Sequence, residues 1–574
     1  MAVRSHGGLL IFFLFSLLNG HSVEASHQIY RRLQTTAAAS SPLDHQPYRT
    51  GYHFQPPKNL INGPMIYEGI YHLFYQYNPN GVVWGPPVWA HSTSTDLVNW
   101  MSQEIAISSS IPSDINGCWS GSATMLPGQK PAILYTGINP ENQQVQNLAV
   151  PKNLSDRYLR EWVKPAVNPL MVPTTVNEIN ASSFRDPTTA WLLPDKHWRV
   201  VIGNKRDQGH RGMALLYRSK DFIHWVKAKH PLHSAKGTGM WECPDFYPVY
   251  VDSLLGADTS TVGPSVKHVL KESLDDTKHE FYMIGSYDIR KDIYTPDKGS
   301  VEGDSGLRYD YGKYYASKTF YDESTRRRIL LGWVNESSST ADDMKKGWSG
   351  IHAIPRTILL DEYGKQLVQW PIKEIEMLRE KPIDLSGKLI KQGSLIEVPI
   401  ITAAQADVEI SFRLTKLTNV EKFDPSWTDP QLLCSRKEAM VQGGVGPFGL
   451  LTLASKGLEE YTAIFFRVFK SRDKHMVLMC SDQSRSSLNP TNDKTTYGTF
   501  VDVDPIHGEL SLRTLIDHSV VESFGAMGKN CITARIYPTL AIDDNAHLYA
   551  FNYGTEKVEI TRLTAWRMKK AHIN

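Results

Sequence analysis

The sequence has no strong excess of charge and few cysteines, and each shortage excludes a class of protein. Its 574 residues carry 62 Lys and Arg against 60 Asp and Glu, a net charge of +2, which is too mild to predict binding to nucleic acid. After residue 25 no apolar run reaches the roughly 18 residues that span a bilayer, so no membrane contact is expected. The five cysteines form no zinc-binding pattern, and we predict neither a metal nor a cofactor.

Export is predicted from the N-terminus and from three acceptor sequons. Arg4 precedes an apolar run, and Val23-Glu24-Ala25 offers small residues at the two positions that a signal peptidase reads, so residues 1–25 have the features of a secretory signal. Residues 26–47 are rich in Ser, Ala and Thr, which is typical of a flexible leader. The predicted glycosylation sites are Asn153, Asn180 and Asn335.

An odd number of cysteines leaves at least one without a partner in the chain. Cys434 and Cys480 lie in the same C-terminal region and could form one disulfide. Cys118 and Cys243 lie inside other motifs and are expected to fill small buried spaces.

Helical periodicity is nearly absent, and short strands between turns are predicted from residue 48 to about 372. Two-residue or Pro-Gly turns predict hairpins at 66–77, 125–135 and 191–202. The stretch Ser94–Trp100 recurs as Ser219–Trp225, 125 residues later. That spacing is too long for one blade of a β-propeller and fits several blades.

A second β domain is predicted after a short helical stretch. Residues 373–380 have the features of a linker, and alternating apolar residues follow at 406–412, 461–469 and 511–517. This pattern predicts a β-sandwich over 381–574, which has few motifs and is expected to support the first domain.

Two motifs contain candidate catalytic carboxylates. Arg185-Asp186-Pro187 places a carboxylate beside a cation, although such a triplet alone is more often a turn with a local ion pair. Glu242 lies between Trp241 and Cys243, so its carboxyl is expected to see little water, as suits a general acid. An ordinary edge-strand glutamate would give the same pattern.

Two further motifs could belong to a binding pocket. Trp119 and Ser120 lie in a Gly-rich strand start, where the indole could stack on a sugar or the chain could simply turn tightly. The loop Asp275–Lys278 could border a pocket, although such a loop is more often a solvated turn.

Taken together, these motifs resemble glycoside hydrolase family 32, the plant acid invertases and fructan exohydrolases. The resemblance runs from about Tyr48 to the C-terminus and includes segments 51–59, 71–79, 308–312 and 333–337 as well as the motifs around Cys118, Asp186 and Glu242. It implies an all-β chain, with a five-bladed β-propeller over 48–372 followed by the β-sandwich. It also implies hydrolysis of terminal β-fructofuranosides, sucrose above all, with retention of configuration.

The resemblance implies a role for each matching residue. Glu242 corresponds to the acid/base and Asp186 to the transition-state stabiliser. The residues that match sugar-binding positions are Asn62, Gln76, Trp84, Trp119, Ser120 and Arg185. Asp275 and Lys278 match a loop that favours sucrose over fructan in some members. Pro after Glu242-Cys243, at position 244, is the residue found in the cell-wall subgroup, so the resemblance implies a secreted protein of the cell wall or apoplast. A cell-wall polysaccharide and an inhibitor protein are possible partners.

The sequence departs from the family at the nucleophile. That residue is the Asp of an Asn-Asp-Pro-Asn-Gly block, but here Leu60-Ile61-Asn62-Gly63 follows the matching flank, so the Asp and two neighbours are missing next to Asn62. The only acidic residue between Asp44 and Asp96 is Glu68, in a predicted hairpin turn that points away from the channel. The chain as written is therefore predicted to be inactive or strongly impaired.

Two interpretations of the gap follow, and the resemblance leaves one further alternative for the activity. Many genes of the family encode Asp-Pro-Asn in a nine-nucleotide mini-exon, so skipping that exon would produce this sequence from the gene of an active sucrose-cleaving enzyme. Alternatively, the chain is a non-catalytic sugar-binding or regulatory relative. A fructan exohydrolase is the remaining alternative.

Overall fold

The computed structural model describes residues 46–56, 62–174, 176–400, 402–414 and 416–574. The predicted signal peptide, most of the predicted leader and the missing-nucleophile stretch 57–61 lie outside the described residues. No helix within the described ranges is long and apolar enough to cross a membrane.

Five antiparallel sheets succeed one another along the first part of the described chain and form the predicted five-bladed β-propeller. Blade I contains β1 (Asn62–Tyr67), β2 (Ile70–Tyr77), β3 (Val88–Ser94) and β4 (Met101–Ser102). Blade II contains β5 (Cys118–Leu126), β6 (Lys130–Ile138), β7 (Gln144–Pro151) and β8 (Trp162–Val163). Blade III contains β9 (Phe184–Arg185), β10 (Trp191–Leu192), β11 (Trp198–Arg206), β12 (Arg211–Ser219), β13 (Trp225–Lys227) and β14 (His233–Ala235).

The last two blades carry short extra strands as well. Blade IV contains β15 (Trp241–Tyr250), β16 (Val266–Leu274), β17 (His279–Asp288), β18 (Ile293–Pro296) and β19 (Leu307–Arg308). Blade V contains β20 (Tyr314–Asp322), β21 (Arg327–Val334), β22 (Ile351–His352), β23 (Arg356–Leu360) and β24 (Leu367–Pro371), with helix α1 (Thr340–Lys346) between β21 and β22. Short 3-10 helices lie at Pro112–Asp114, Lys373–Leu378, Ala526–Gly528 and Asp543–Asn545.

The predicted hairpins are confirmed by strand register. Tyr67 pairs with Ile70 across the β1–β2 turn, and Leu126 pairs with Lys130 across the β5–β6 turn. Strands β10 and β11 pair as the third hairpin. Because β1 pairs with β2 without a bulge from Asn62 onward, the described part of the innermost strand of blade I is regular.

The repeated stretch is the turn between two strands of a blade. In the first copy the Ser94 hydroxyl accepts a hydrogen bond from the Leu97 amide at 2.8 Å, and the Trp100 indole donates to the Leu97 carbonyl at 3.2 Å. The second copy, Ser219–Trp225, makes the same two bonds in blade III, at 2.9 and 3.1 Å. The repeat therefore marks equivalent places in two blades, which explains its spacing.

Two seven-stranded sheets pack face to face after the propeller and form the predicted β-sandwich. The first contains β25 (Ile383–Asp384), β26 (Lys388–Ile390), β28 (Gln405–Leu414), β34 (Leu510–Asp517), β35 (Val520–Gly525), β36 (Asn530–Arg535) and β38 (Val558–Arg567). The second contains β27 (Ser394–Glu397), β29 (Glu421–Lys422), β30 (Val445–Ala454), β31 (Thr462–Lys470), β32 (His475–Asp482), β33 (Tyr497–Val501) and β37 (His547–Asn552). Helix α2 (Pro430–Arg436) precedes β30.

The cysteines divide into one disulfide and three buried thiols. Cys434 of α2 is bonded to Cys480 of β32. Cys118, Cys243 and Cys531 are unpaired and buried, in blade II, blade IV and the sandwich respectively. The two thiols that the sequence predicted to fill buried spaces do so.

One carboxyl inside blade IV makes stability depend on pH. Glu272 of β16 is fully buried, and neither of its carboxyl oxygens has a hydrogen-bond partner among the described residues. Burial raises the pKa of Glu272 well above its ordinary 4.5. Because the folded protein favours the protonated form, this carboxyl costs progressively more stability as pH rises above its ordinary pKa, until the folded-state pKa is passed.

We therefore expect Glu272→Gln to raise the melting temperature by several degrees near pH 7.5 and to change it little near pH 4.5. Thermal unfolding at the two pH values measures the difference. Glu323→Gln, on the exposed turn after β20, is the matched control. An equal shift at both pH values would show that ionisation of Glu272 is not the cause.

Candidate active site

Three elements of blades III and IV bring the predicted charged residues together. Arg185 ends β9, Glu242 is the second residue of β15, and Asp275 and Lys278 lie in the turn between β16 and β17. The Arg185 Nη2 atom lies 3.0 Å from Glu242 Oε1 and 3.1 Å from Asp275 Oδ2. Lys278 Nζ lies 3.4 Å from Glu242 Oε2 and also bonds Asp275. The loop that could have been a solvated turn is thus part of the site.

The charges in this cluster stabilise one another. Burial would lower the pKa of Lys278, but the carboxylates of Glu242 and Asp275 outweigh it and raise that pKa above its ordinary value. Burial acts on Asp275 in the opposite sense, yet Lys278 and Arg185 hold the pKa of this carboxyl below its usual value. Both side chains therefore stay charged in mildly acidic solution.

Asp186, the residue after Arg185 in the sequence, is held in a strained backbone conformation. Its φ is +67°, and Cys243, whose amide donates to Asp186 Oδ2 at 2.9 Å, has a φ of +43°. The Asp186 amide in turn donates to Thr136 Oγ1 of blade II at 2.9 Å. Burial, with the nearby charge of Glu242, raises the pKa of Asp186, while Arg185 opposes the rise. Asp186 and Cys243, which are joined by a hydrogen bond, both have a left-handed backbone that costs free energy. Such strain is concentrated at functional sites.

The surroundings of Glu242 differ from the prediction. We expected a carboxyl that sees little water between Trp241 and Cys243, but its side chain is 19% exposed and faces Arg185 and Lys278. The Trp241 indole is fully buried and donates to Thr238 instead. Successive residues of a strand point to opposite faces, so the sequence neighbours of Glu242 do not form its environment.

Aromatic side chains border the charged cluster. The Arg185 guanidinium lies 5.9 Å from the centre of the Trp119 ring, and the Trp84 and Trp119 rings are 5.9 Å apart in an edge-on arrangement. Trp84 is 61% exposed, so its face is open to a ligand. Sugar rings offer apolar C–H faces, and exposed indoles are suited to stack against them.

The remaining predicted contacts are less directly joined to the cluster. Gln76 of β2 lines a cavity of about 560 Å³ that is also lined by Trp84 and Trp333. Ser120 is buried on β5 next to Trp119, and within the described residues no hydrogen bond joins it to the charged cluster. The side chain of Asn62 lies outside the described residues.

Sequence reasoning missed one residue of the site. The Tyr315 hydroxyl of β20 donates to Glu242 Oε2 at 2.6 Å, and its ring lies 5.5 Å from Lys278 Nζ. Burial and the charge of Glu242 raise the pKa of Tyr315, so its hydroxyl remains a donor. Tyr315 comes from blade V, and no chemical motif surrounds it in the sequence, so only the adjacency of blades IV and V could have revealed it.

Family models match both domains of the chain. The model described as "Glycosyl hydrolases family 32 N-terminal domain" matches residues 53–371, and "Glycosyl hydrolases family 32 C terminal" matches residues 374–567.

The chain belongs to glycoside hydrolase family 32.

Characterised relatives are similar over nearly the whole chain. The fructan 6-exohydrolase of Beta vulgaris is 65% identical, over 92% of this chain and 88% of that protein. The cell-wall isozyme of β-fructofuranosidase from Pisum sativum is 64% identical, over 96% of this chain and 99% of that protein. Crystal structures of fructan 1-exohydrolase IIa from Cichorium intybus, one of them a variant in complex with 1-kestose, have a TM-score of 0.90, 51% identity and coverage of 92% of this chain and 99% of theirs.

The only acidic residue near the gap is not part of this family 32 site. Glu68 is exposed at the β1–β2 turn and lines a separate cavity of about 790 Å³. The residues that line that cavity include neither Glu242 nor Asp186 nor any other member of the charged cluster. The cavity that Glu68 lines therefore does not bring it next to Glu242 or Asp186.

The sequons of this family 32 chain differ in exposure. Asn153 is exposed, whereas Asn180 and Asn335 are half-buried. Asn335 lines the same cavity as Gln76 and Trp84. Whether each site carries a glycan stays a prediction.

The contact between Tyr315 and Glu242 gives a testable positioning role. In a chain with a restored nucleophile block, we expect Tyr315→Phe to lower kcat by roughly 10–100-fold, the usual value of a hydrogen bond to a charged group. KM for a β-fructofuranoside substrate should change little, because the hydroxyl contacts Glu242. Steady-state kinetics measure both constants. Tyr321→Phe, on the same strand and half-buried, is the control, and a change in KM alone would assign Tyr315 to substrate binding instead.

Proposed function

We propose that this chain derives from a secreted retaining β-fructofuranosidase that hydrolyses sucrose in the cell wall, and that the chain as written lacks the nucleophile. The observation that carries the proposal is the cluster in which Arg185 joins Glu242 to Asp275 beside the buried carboxylate of Asp186. This arrangement has three carboxylates, two cations (Arg185 and Lys278) and the exposed Trp84 indole nearby, and it is suited to a glycosidase.

Each group has a role in the proposed reaction. Glu242 protonates the glycosidic oxygen as glucose leaves, and it later takes a proton from the attacking water. Asp186 is held by the Cys243 amide and accepts hydrogen bonds from fructose hydroxyls, stabilising the positive charge that develops on the sugar ring. Arg185 and Tyr315 fix the orientation of the Glu242 carboxylate through bonds of 3.0 and 2.6 Å.

The first step is the one that the gap removes. A retaining glycosidase forms a covalent fructosyl intermediate on a carboxylate about 5–5.5 Å from the acid/base. The family supplies that carboxylate from the block missing next to Asn62. Without it, Glu242 can donate a proton, but no carboxylate captures the fructosyl cation.

The charged loop supports sucrose as the substrate. Asp275 and Lys278 match the loop that favours sucrose in some members, and here both are bonded into the cluster with Glu242. The predicted signal, the sequons and the 64% identity to a protein named as a cell-wall isozyme support location in the cell wall.

Two alternatives have specific support. A fructan exohydrolase is favoured by the 65% identity to the fructan 6-exohydrolase and by the likeness to the enzyme crystallised with 1-kestose. A non-catalytic sugar-binding protein is favoured by the gap itself, since the rest of the pocket is kept.

A substrate panel tests the proposal. The chain with the nucleophile block restored is incubated with sucrose, 1-kestose and a β-2,6-linked fructan, and released fructose is measured near pH 5, with the initial anomer read by NMR. We expect sucrose to be cleaved fastest and β-fructose to appear first. Faster cleavage of a fructan would identify an exohydrolase, and binding of sucrose without cleavage would favour the sugar-binding alternative.

A further inference from the structure

A buried histidine lies at the junction of the two domains. Residues 48–56 start in the sandwich, where the Tyr52 hydroxyl is within 3.1 Å of the Ala406 carbonyl and 2.9 Å of the Ile516 carbonyl. Two residues later the chain is in the propeller, where the Phe54 carbonyl accepts from the His352 amide at 2.9 Å. His53 is the residue between these two attachments.

Both ring nitrogens of His53 contact carboxylates of the sandwich. Nδ1 is 2.9 Å from Asp517 Oδ2, Nε2 is 2.9 Å from Glu522 Oε1, and all three side chains are 0% exposed. A carboxylate can only accept a hydrogen bond, so both ring nitrogens must donate. Only the doubly protonated imidazolium does this, and the geometry therefore requires a charged His53.

The carboxylates are themselves fixed as anions. Asp517 accepts the amides of Gly51, Tyr52 and His53 at 2.6–2.9 Å. Glu522 accepts the Ile354 amide and Arg356 Nη2, each at 2.6 Å. Despite burial, which acts in the opposite sense, Arg356 and His53 lower the pKa of Glu522 to about 2. The anions therefore persist throughout the mild pH range.

Further charged and titratable groups surround this network. Arg356 also bonds Asp310 Oδ2 at 2.9 Å, which places the Arg308–Gly312 motif at the domain junction. The remaining groups that act on the network or pack against it are Tyr52, Tyr314, His352, Asp407, Arg513, His518 and Cys531. Burial would lower the pKa of His53, but Asp517 and Glu522 outweigh it and raise that pKa above its ordinary 6.5.

We propose that His53 is a proton-operated latch that fastens segment 48–56 to the sandwich in acid and loosens it as pH rises. Neutral imidazole has one N–H, so after loss of the proton either Asp517 or Glu522 faces a ring lone pair with no water to replace the bond. That carboxylate keeps its other partners but loses its ion pair and hydrogen bond with His53, which is destabilising in a buried site, and movement of the segment relieves the repulsion.

The raised pKa of His53 determines whether stability rises or falls with pH. A group whose folded pKa is raised contributes stability that is complete below its unfolded value and is lost as pH rises through the folded value. For His53 the latch is fully closed below the ordinary pKa of 6.5 and opens as pH rises through the raised folded pKa. An acidic compartment keeps it closed.

Hydrogen exchange of the full chain tests the latch without a mutation. Exchange is followed by mass spectrometry from about pH 5 to 8.5 and corrected for the intrinsic rate. Between the ordinary pKa of 6.5 and the raised folded pKa of His53, protection of residues 48–56 and 517–522 should fall by up to about tenfold per pH unit, the slope of one released proton, and above the folded pKa it should level off. Strands β11 and β12 of blade III are the internal reference. Unchanged protection of 48–56 across this range would overturn the proposal.

His53→Gln tests which group is responsible. The variant has no proton to lose, so the fall in melting temperature between about pH 6 and 8.5 should be smaller than in the unmodified chain. His224→Gln is the matched control, because the His224 side chain is 82% exposed. Glu272 is present in all three proteins, so its contribution cancels. An unaltered slope in His53→Gln would reject the latch, and if this variant does not fold, the exchange experiment decides alone.

Discussion

Inserting Asp-Pro-Asn between Asn62 and Gly63 should raise the rate of sucrose hydrolysis by roughly 10⁴–10⁶-fold over the chain as written, the usual range for loss of a covalent nucleophile. The physical reason is that Glu242, Asp186 and their partners are already in place, while Glu68 lies at the turn outside the cluster. Glucose release from sucrose near pH 5, measured on both purified chains, gives the ratio.

An insertion of equal length separates chemistry from folding. Asn-Pro-Asn at the same place restores the number of residues but supplies no carboxylate, so it should remain inactive while folding equally well. Ready glucose release by the chain as written would refute its predicted inactivity. If the Asp-Pro-Asn insertion stays inactive but folds, Leu60 or another change has disabled the site as well. The gene offers an independent answer, since a nine-nucleotide exon at this point would establish skipping.

Glu242→Gln in the restored chain should lower sucrose hydrolysis by about 10²–10⁴-fold, the typical contribution of a positioned acid/base. Gln keeps the size of the side chain and can still accept from Tyr315, but it cannot donate a proton to the leaving oxygen. A fructoside with an acidic phenol as leaving group needs less protonation, so its cleavage should fall less in the same variant. Initial rates with the two substrates measure the contrast.

The control for this variant is Glu68→Gln, which removes an exposed carboxylate outside the cluster and should leave the rate unchanged. An equal loss with both leaving groups would argue that Glu242 only positions substrate. A near-normal rate with sucrose would show that another group supplies the proton.

The hairpins and the repeated turn could be predicted because their signals are local, whereas the number of five blades came from the family resemblance. Short turns set the hairpin registers, with two residues between β1 and β2 and three between β5 and β6. Ser94–Trp100 builds a turn from its own side chains, and Ser219–Trp225, which keeps the Ser, Asp and Trp, builds the same turn. Each of these features depends on contacts within a few residues. The predicted domain limits remain predictions, since no observation fixes where one domain ends.

The site could be predicted only in part, because its contacts join blades. Asp275 alone was more consistent with a solvated turn, and its place beside Arg185 depends on a bond across 90 residues. Tyr315 reaches Glu242 across 73 residues and has no sequence signal. The predicted environment of Glu242 was wrong because side chains alternate along β15, so Trp241 lies on the other face of the strand.

The three unpaired thiols can serve as natural probes of local opening in the folded chain. Cys118, Cys243 and Cys531 are buried in blade II, blade IV and the sandwich, and burial raises the pKa of each thiol above its usual range. A thiol-reactive reagent therefore modifies each one only when its own neighbourhood opens. Peptide mapping of the modified chain would report three separate opening rates without any substitution in the chain.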